Sequence, residues 1–401
     1  MESAYSPFDP AVRDNPYPFY AALRRDAPVQ EVRGGGLWAV ARYDDVLSIL
    51  RDHQSFSSAP MNFQTERATL IGSEGDSVFG ADTPTIIGSD PPIHTRLRNL
   101  VNRGFTPRRM ATLEPHIHAI ADSLLNALPL NGEFDLMADF AIPLPVIVIA
   151  ELLGVEASRR EDFKRWSDSV VRLISGTPTE EQRAQARVPM QEFRDYFLAI
   201  IEERRTDPRD DLISALIRAQ VNEQALTAPE VITFAALLLV AGNETTTNLI
   251  GNAVLALLSH PEQLELVRRH HELVPGLIEE ALRYDAPVQG LFRLTTRDVQ
   301  LGDTAIPMGA MVMPLFASAN RDECVFADPN RFDVRRNPDG HVAFGFGIHY
   351  CLGAALARLE ARIGMQVLLH KCRPWHGAAQ TIERIDSIFL RGPKRLQLTL
   401  Q

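Results

Sequence analysis

Helical periodicity dominates the pattern of hydrophobic and polar positions along this chain. Apolar residues recur at intervals of three and four in segments that we predict to be helices: Pro18–Arg25, Tyr43–Asp52, Ile93–Gly104, Glu114–Ala127, Glu161–Leu173, Pro189–Thr206 and Leu212–Gln220. Short segments that predict strands come late, at Leu301–Ile306, Met311–Phe316 and Arg395–Leu400. Met61–Gly88, with mixed polarity and several glycines, predicts a long loop or lid. The fold class expected is mainly α, with small peripheral β-sheets.

The longest predicted helix opens at Thr227. Thr227 can cap the helix, Glu230 completes a capping box three residues later, and Pro229 is tolerated in the first turn. The pattern then continues to about Ser259, a length of roughly 48 Å at 1.5 Å per residue. The first half, Phe234–Ala241, is apolar on every face. We therefore expect this helix to cross the middle of the protein.

Length and composition fit one large folded domain. The 401 residues can bury an extensive core, and no linker-like segment divides them, so we predict a single domain over residues 1–401. Apolar residues make up 45% of the chain and charged residues 23%, as is ordinary for a folded soluble protein. The formal net charge of −10 argues against general nucleic-acid binding, which needs a basic surface.

The sequence gives no sign of a membrane anchor. The N-terminus has neither a basic nor an apolar leader segment. The longest apolar stretch, Phe140–Val155, is interrupted by Pro143, Pro145 and Glu151, so it fails as a membrane span. Three scattered cysteines are present, at Cys324, Cys351 and Cys372. They are too few for a disulfide framework, and we expect a cytoplasmic protein.

The most informative segment surrounds Cys351. Gly345, Gly347 and Gly353 allow left-handed backbone angles and close approach to a ligand. The pattern from Ala354 onward is helical, which places Cys351 at a helix N-terminus. Unpaired backbone N–H groups and the helix dipole stabilise a thiolate at such a position. A thiolate held against backbone donors is suited to bind a metal.

The alternative for any lone cysteine is burial without a chemical role, and we expect it for Cys324 and Cys372. The pattern Phe344-Gly-x-Gly-x-His-x-Cys351-x-Gly353 argues against it for Cys351, because it resembles the haem-binding loop of the cytochrome P450 superfamily. The resemblance implies that Cys351 is the axial iron ligand of a haem b, and it adds Gly353 to the cofactor-binding set. It implies that His349 contacts a haem propionate and that Phe344 packs near the sulfur. The implied fold is a helix-rich prism that encloses haem between the long central helix and the helix after the cysteine.

A polar run, Ala241-Gly-Asn-Glu-Thr-Thr, interrupts the long apolar helix. A glycine inside a helix costs about 1 kcal/mol relative to alanine, and buried polar groups need a reason. The simple alternative is a polar helix face with a helix-bending threonine. The run resembles the family's Ala/Gly-Gly-x-Asp/Glu-Thr element. The resemblance makes Thr245 the hydroxyl that bonds dioxygen and Glu244 the acid that links it to solvent protons. Ala241 and Gly242 would lie against the haem, with Gly242 loosening the helix so that oxygen fits.

Two further segments match propionate-binding positions of the family. His94 and Arg98, four residues apart, share a helix face and could bind one anion together. Alone, such a pair is more often a solvated basic face. The pattern from Asp90, Asp-Pro-Pro-x-His-x-x-x-Arg, resembles the family's, which implies that both side chains bind a propionate. Arg293 matches the remaining propionate arginine.

The resemblance also implies a buried ion network. Glu280 and Arg283 fit the family's Glu-x-x-Arg pair, a weak pattern that gains support from its position before Cys351. Arg331 is the third expected member. The role of these side chains would be structural.

The resemblance implies a bacterial-type monooxygenase that inserts one oxygen atom from O2 into an organic substrate by hydroxylation or epoxidation. Because the chain ends soon after its last predicted strand, we expect electrons from a separate ferredoxin and its NAD(P)H-dependent reductase. Candidate arginines for docking an acidic partner are Arg96, Arg103, Arg109 and Arg358. Residues predicted to line the substrate pocket are Leu237, Val240, Ala241, Val288, Gln289, Leu291 and Phe389. They are mainly apolar, which favours a medium-sized lipophilic molecule such as a terpenoid, steroid, fatty acid, macrolide or aromatic, and Gln289 could orient a polar group.

Three other functions compete with this interpretation. A peroxide-driven haem peroxygenase and a haem-binding sensor without turnover would keep the cofactor, but the intact Glu244–Thr245 pair argues against both. An enzyme that uses Cys351 as a nucleophile would need a base close to the thiol. It would also leave Glu244, His94 and Arg98 unexplained.

Overall fold

The computed structural model describes residues 5–32, 36–59, 83–128, 132–174, 179–221, 224–371, 375–377 and 381–400. The predicted loop Met61–Gly88 therefore lies outside the described residues except for its last six positions, and Cys372 lies outside them as well. Contacts group the chain into two compact units. The first unit comprises Met1–Ser57, Ile117–Leu144 and Thr245–Gln401, and the second comprises Ser58–His116 and Pro145–Glu244. The prediction of a single domain over residues 1–401 stays a prediction.

The fold is mainly helical with small sheets, as predicted. The α-helices are α1 Pro10–Asp14, α2 Tyr17–Asp26, α3 Tyr43–Arg51, α4 Ile93–Val101, α5 Pro107–Asn126, α6 Pro143–Leu152, α7 Arg160–Ile174, α8 Glu180–Thr206, α9 Leu212–Arg218, α10 Ala228–Ser259, α11 Pro261–Arg269, α12 Val274–Tyr284, α13 Phe316–Ala319 and α14 Ala354–Lys371. A π-helical turn, Met137–Ala141, precedes α6. Among the described residues, no helix combines the length and the apolar character that crossing a bilayer requires.

The first unit contains most of the sheet structure. Its strands are β1 Val29–Glu31, β2 Leu37–Val40, β3 Phe56–Ser57, β4 Gly132–Asp135, β7 Arg293–Thr295, β8 Val299–Leu301, β9 Thr304–Ile306, β10 Met311–Pro314, β11 Trp375–Gly377 and β12 Gln397–Leu400. One sheet has the order β1-β2-β10-β7-β3, with β2 and β10 parallel and Met311 opposite Leu37. A second has the order β11-β12-β4, and β8 pairs with β9 as a hairpin. The second unit has one short ladder, β5 Gln220–Val221 with β6 Gln224–Ala225.

A buried apolar cluster packs the larger sheet against α3 in the first unit. Val46 and Ile49 from α3 lie in it together with Val40 and Val312 from the sheet, all at most 1% exposed. Their spacing on α3 is the three-residue helical interval, whereas the sheet residues come from two strands far apart in sequence. Burial of this cluster therefore joins the N-terminal segment to the late strands.

The long helix α10 begins as the sequence predicts. The Glu230 backbone N–H donates to the Thr227 hydroxyl at 3.3 Å, and the Thr227 N–H donates to the Glu230 carboxylate at 2.8 Å, which completes the capping box. Burial acts to raise the pKa of Glu230, but hydrogen bonds from Arg96 and Thr227 outweigh it, so the pKa lies below its usual value. The capping residue is thus ionised and also pairs with α4 through Arg96.

Several predicted boundaries were wrong. The single strand Leu301–Ile306 is instead the β8–β9 hairpin, because Gly302 turns the chain at a φ of +55°. The strand predicted over Met311–Phe316 ends at Pro314, and a helix follows. Helix α8 begins nine residues before the predicted Pro189, since Thr179 and Gln182 form a second capping box upstream. Pro189 lies inside this helix rather than at its start.

Candidate functional site

Cys351 lies in a tight loop of the first unit, between a one-turn 3-10 helix, Gly347–His349, and α14. The Cys351 backbone N–H donates to the Phe344 carbonyl at 3.0 Å, so the loop folds back on itself around the thiol. Gly345 and Gly347 have φ values of +71° and +70°, the left-handed region that glycine adopts without strain. A Cβ at Gly347 would also lie 2.5 Å from the Leu50 carbonyl oxygen.

The thiol stands slightly outside the helix that follows it. Helix α14 begins at Ala354, three residues after Cys351, and the Ala357 N–H donates to the Gly353 carbonyl at 2.9 Å. Cys351 is therefore near the helix N-terminus, as predicted, but before its first turn. A Cβ on Gly353 would meet no atom within 4 Å. Packing within the chain thus leaves open space beside Gly353, as the predicted contact with a cofactor requires.

The donor set at Cys351 fits a haem better than a protein-ligated metal. Among the described residues, no group of three or more His, Cys, Asp or Glu side chains could hold a metal ion. Structural zinc sites and iron–sulfur clusters need several protein ligands, whereas haem iron needs one axial side chain because the porphyrin supplies the others. Ala241, the other small residue predicted against the haem, is exposed although its helix is otherwise largely buried. The residues present therefore fit the cofactor that the resemblance implies.

The apolar half of α10 lies in the second unit and is buried as predicted. Leu237 is 7% exposed and Val240 is half-buried. A Cβ on Gly242 would lie 2.2 Å from the Ile149 Cδ1 atom of α6. Close approach of these two helices is therefore a structural reason for glycine at this position, beside the predicted role in admitting oxygen.

Part of the polar run on α10 has structural partners. The Asn243 amide donates to the Ser167 hydroxyl at 2.8 Å in the second unit, and Thr247 donates to the Ala141 carbonyl at 3.0 Å in the first. Glu244 and Thr245, the predicted catalytic pair, are consecutive on the helix and half-buried. The simple alternative of a polar helix face thus accounts for Asn243 and Thr247.

Glu360 on α14 is a candidate functional residue that the sequence interpretation missed. Its side chain is 2% exposed, and its Oε1 atom has no hydrogen-bond partner among the described residues. Burial raises the pKa of Glu360 to about 8, against a smaller lowering effect of its hydrogen bond with the Thr246 side chain. The carboxyl is therefore largely protonated at neutral pH, next to the residue that follows Thr245. The signal was available, because Leu356 and Gly364, one turn away on either side, belong to the buried face of this helix.

The predicted propionate-binding residues occupy positions suited to anions. His94 and Arg98 lie one turn apart on α4 of the second unit, where His94 is 3% exposed and Arg98 is half-buried. In the first unit, Arg293 on β7 is 5% exposed, and its Nη1 atom donates to the Phe292 carbonyl at 2.8 Å. His349 ends the short 3-10 helix before Cys351 and is half-buried.

The predicted pocket residues of the first unit share two neighbouring segments. Val288 forms an isolated β-bridge with Leu390, and the Gln289 N–H donates to the Phe389 carbonyl at 2.8 Å. Val288, Leu291 and Phe389 are half-buried. The Gln289 side chain is engaged at both ends: its oxygen accepts from the Tyr20 hydroxyl at 3.2 Å, and its nitrogen donates to the Ala286 carbonyl at 2.7 Å. We therefore correct the expectation that Gln289 orients a substrate group.

The predicted ion network exists with one different member. The Arg283 Nε and Nη2 atoms donate to the two Glu280 carboxylate oxygens at 2.8 Å each, and both side chains are fully buried. The third cation is Arg336, whose Nε donates to Glu280 Oε1 at 3.2 Å. The prediction for Arg331 was wrong: its side chain is 65% exposed beside Asp333, and only its carbonyl accepts from Arg283.

The arginines suggested for docking an acidic partner mostly have carboxylate partners of their own. Each pair lies within one unit: Arg96 with Glu230, Arg109 with Asp210 and Arg358 with Glu279. Their charges are compensated locally, which weakens the hypothesis of a free cationic patch. Arg103 is exposed on its segment.

Comparison with known proteins agrees with the motifs. The sequence profile described as Cytochrome P450 matches residues 161–400. Cytochrome P450 107B1 of Saccharopolyspora erythraea is 44% identical over 396 residues, which cover 97% of this chain and 96% of the relative. The vitamin D(3) 25-hydroxylase of Pseudonocardia autotrophica is 42% identical over 393 residues, covering 96% and 94%. The structure of cytochrome P450 CYP109Q5 from Chondromyces apiculatus superposes with a TM-score of 0.90 at 44% identity, covering 100% of this chain and 99% of that one.

Proposed function

The chain belongs to the cytochrome P450 family, and from that premise we propose which of its residues carry the reaction. Members of this family are haem-thiolate proteins, and the chain is a monooxygenase that acts on lipophilic organic substrates. The observation that carries the assignment of residues is the loop around Cys351. It presents one thiol, without the additional protein ligands that another metal would need.

Cys351 as a thiolate would hold the haem iron from one side. The haem, when bound, supplies the electron-accepting and oxygen-activating chemistry, and a thiolate ligand favours cleavage of the O–O bond. Phe344 keeps the loop closed through its carbonyl. Gly353 leaves room beside the sulfur, and Ala241 with Gly242 forms the small-residue surface opposite the loop in the proposed arrangement.

Four basic side chains would neutralise the two propionates. The proposed set is His94, Arg98, Arg293 and His349. Histidine and arginine donate charge-assisted hydrogen bonds to carboxylates, which are stronger than neutral ones. Their burial or half-burial favours fixed geometry over solvation. The residues would orient the cofactor and take no part in oxidation.

Proton supply is the task we assign to Glu244 and Thr245. The Thr245 hydroxyl would donate a proton to the oxygen site, and the Glu244 carboxyl would replace that proton from solvent. Glu360 is a second proton store, because its carboxyl is protonated at neutral pH and bonds to Thr246. The chain therefore offers acids on either side of Thr245 in sequence and in contact.

The substrate is proposed to be a medium-sized lipophilic molecule that contacts the apolar part of the predicted lining: Leu237, Val240, Val288, Leu291 and Phe389. The relative named for vitamin D(3) hydroxylation supports a ligand of sterol size. Screening lipophilic compounds for the shift of ferric haem from low to high spin identifies the class. A series of sterol-sized compounds without any shift, beside one that responds to fatty acids, would change this proposal.

Electrons are proposed to come from a ferredoxin and its NAD(P)H-dependent reductase. A cytoplasmic location completes the proposal, since three scattered cysteines suit a reducing compartment. Turnover supported by reconstituted ferredoxin and reductase tests the partner. Turnover with hydrogen peroxide alone, undiminished by Thr245→Ala, would favour the peroxygenase alternative.

The decisive test of the iron ligand is the carbon-monoxide difference spectrum of the reduced protein. We expect Cys351→Ser to abolish the thiolate signature and oxidation together, while Cys324→Ser, at an exposed cysteine, keeps both. A thiolate signature that survives in the Cys351 variant would overturn the proposal. Haem content measured in parallel distinguishes a changed ligand from a lost cofactor.

A further inference from the structure

The Arg358 side chain lies over one face of the Phe344 ring. Its guanidinium carbon is 4.5 Å from the ring centroid, the distance of a cation–π contact. The same guanidinium donates from Nε and Nη2 to the two carboxylate oxygens of Glu279, at 2.7 and 3.0 Å. Glu279 stands on α12, so this bidentate pair joins α12 to the first turns of α14.

The same pair reaches the Cys351 loop at both of its ends. The Arg358 Nη1 atom donates to the Tyr350 hydroxyl at 3.2 Å, one residue before the cysteine. The Glu279 Oε2 atom lies 3.0 Å from His341 Nε2, and the Ala343 N–H donates to His341 Nδ1 at 3.3 Å. These contacts require His341 as the tautomer protonated at Nε2.

Glu279 carries a full negative charge at working pH. Burial acts to raise its pKa, but the hydrogen bonds from His341 and Arg358 outweigh burial and lower the pKa of Glu279 to about 2. The site beside Phe344 therefore holds one fixed cation and one fixed anion. Phe344, in turn, accepts the Cys351 N–H through its carbonyl.

We propose that the Glu279–Arg358 pair is a positioning device that holds Phe344 against the Cys351 loop and balances the charge that sets the reduction equilibrium of the haem. The inference rests on the proposed haem-thiolate function. Reduction adds one electron from the external donor and one negative charge to the haem, and no covalent bond changes. A nearby cation therefore favours the reduced form, and a nearby anion favours the oxidised form.

Opposite shifts of the reduction potential are the expected result. Arg358→Gln leaves Glu279 uncompensated, so the ratio of reduced to oxidised haem at a fixed potential falls about twofold to fivefold, the range of a cation–π contact. Glu279→Gln leaves Arg358 uncompensated, and the ratio rises by a similar factor. Arg358→Lys keeps the charge and stays close to the unmodified protein. A merely structural pair would instead shift both single variants in the same direction through loss of fold.

The experiment is a spectroelectrochemical titration of the holoprotein and its variants, with thermal unfolding in parallel. Arg51→Gln is the matched control: Arg51 stacks on Phe346 of the same loop at 4.9 Å, but that ring is 39% exposed. We expect the control to leave the potential unchanged. Equal or same-sign shifts in the two single variants overturn this inference alone. Absence of the thiolate signature in the unmodified holoprotein would overturn the proposed function, and this inference with it.

Discussion

Removal of the Arg336 guanidinium perturbs the buried ion network of the first unit at its corrected member. We expect Arg336→Gln to lower the free energy of unfolding by about 2 kcal/mol, because three charge-assisted hydrogen bonds are lost together. They join Arg336 to the Glu280 carboxylate and to the carbonyls of Ala327 and Asp328, at 3.2, 2.6 and 3.1 Å. The cost stays below the roughly 3–5 kcal/mol of a broken buried pair, because Arg283 still neutralises Glu280.

Arg331→Gln is the matched control, five positions away. The Arg331 side chain is 65% exposed, and its Nη2 atom is 3.6 Å from the Asp333 carboxylate. An exposed pair of that kind contributes little, so we expect a loss of at most about 0.5 kcal/mol. The contribution of the Arg331 carbonyl to the network is kept, since the substitution leaves the backbone unchanged.

Urea unfolding of both holoproteins, followed by circular dichroism at one pH and one salt concentration, measures the difference. Midpoints are compared at a common slope, so that a change in the unfolded state is not taken for a change in stability. Equal destabilisation by the two variants, or a larger effect of Arg331→Gln, would refute the assignment of Arg336 to the network.

Two further variants probe the site. Burial raises the pKa of Glu360 from the usual 4.5 to about 8, so the folded chain holds a proton that the unfolded chain releases. Its contribution to stability is complete below about pH 4.5 and is lost as the pH rises towards 8, by up to about 1.4 kcal/mol per pH unit. Glu360→Gln should flatten that slope in urea unfolding between about pH 5 and about pH 8, and an unchanged slope contradicts the shift. Gly347→Ala should lower the thermal midpoint more than Gly345→Ala, because a Cβ meets the Leu50 oxygen at 2.5 Å in one case and nothing nearer than 3.9 Å in the other. The left-handed backbone alone costs about 1–2 kcal/mol, and equal losses would discount the close contact.

Local patterns predicted the parts of the molecule that depend on neighbours in sequence. The capping box of α10 needs only Thr227 and Glu230, three residues apart, and it forms as expected. The loop around Cys351 combines glycines at left-handed angles with one thiol, and the resemblance to cytochrome P450 proteins is confirmed by the comparisons. Helix boundaries were less certain, because an upstream cap at Thr179 outweighed the prolines that mark a start.

Partners of buried polar groups were decided by tertiary packing. Arg336 rather than Arg331 reaches Glu280, because the turn between them directs one side chain inward and the other to solvent. Gln289 seemed available to a substrate, yet both ends of its amide bond within the first unit.

The sequence by itself determined the helical class, the family, the haem cofactor and the cysteine that we propose as its ligand, since periodicity and short motifs record the local conformation that each requires. Only the tertiary structure decided which charges meet and which carboxyl is buried. Glu360 is protonated, and Arg358 lies between Glu279 and Phe344, because distant segments pack there and exclude water. Solvation and pairing of a charge depend on everything within a few ångströms, whatever its separation along the chain.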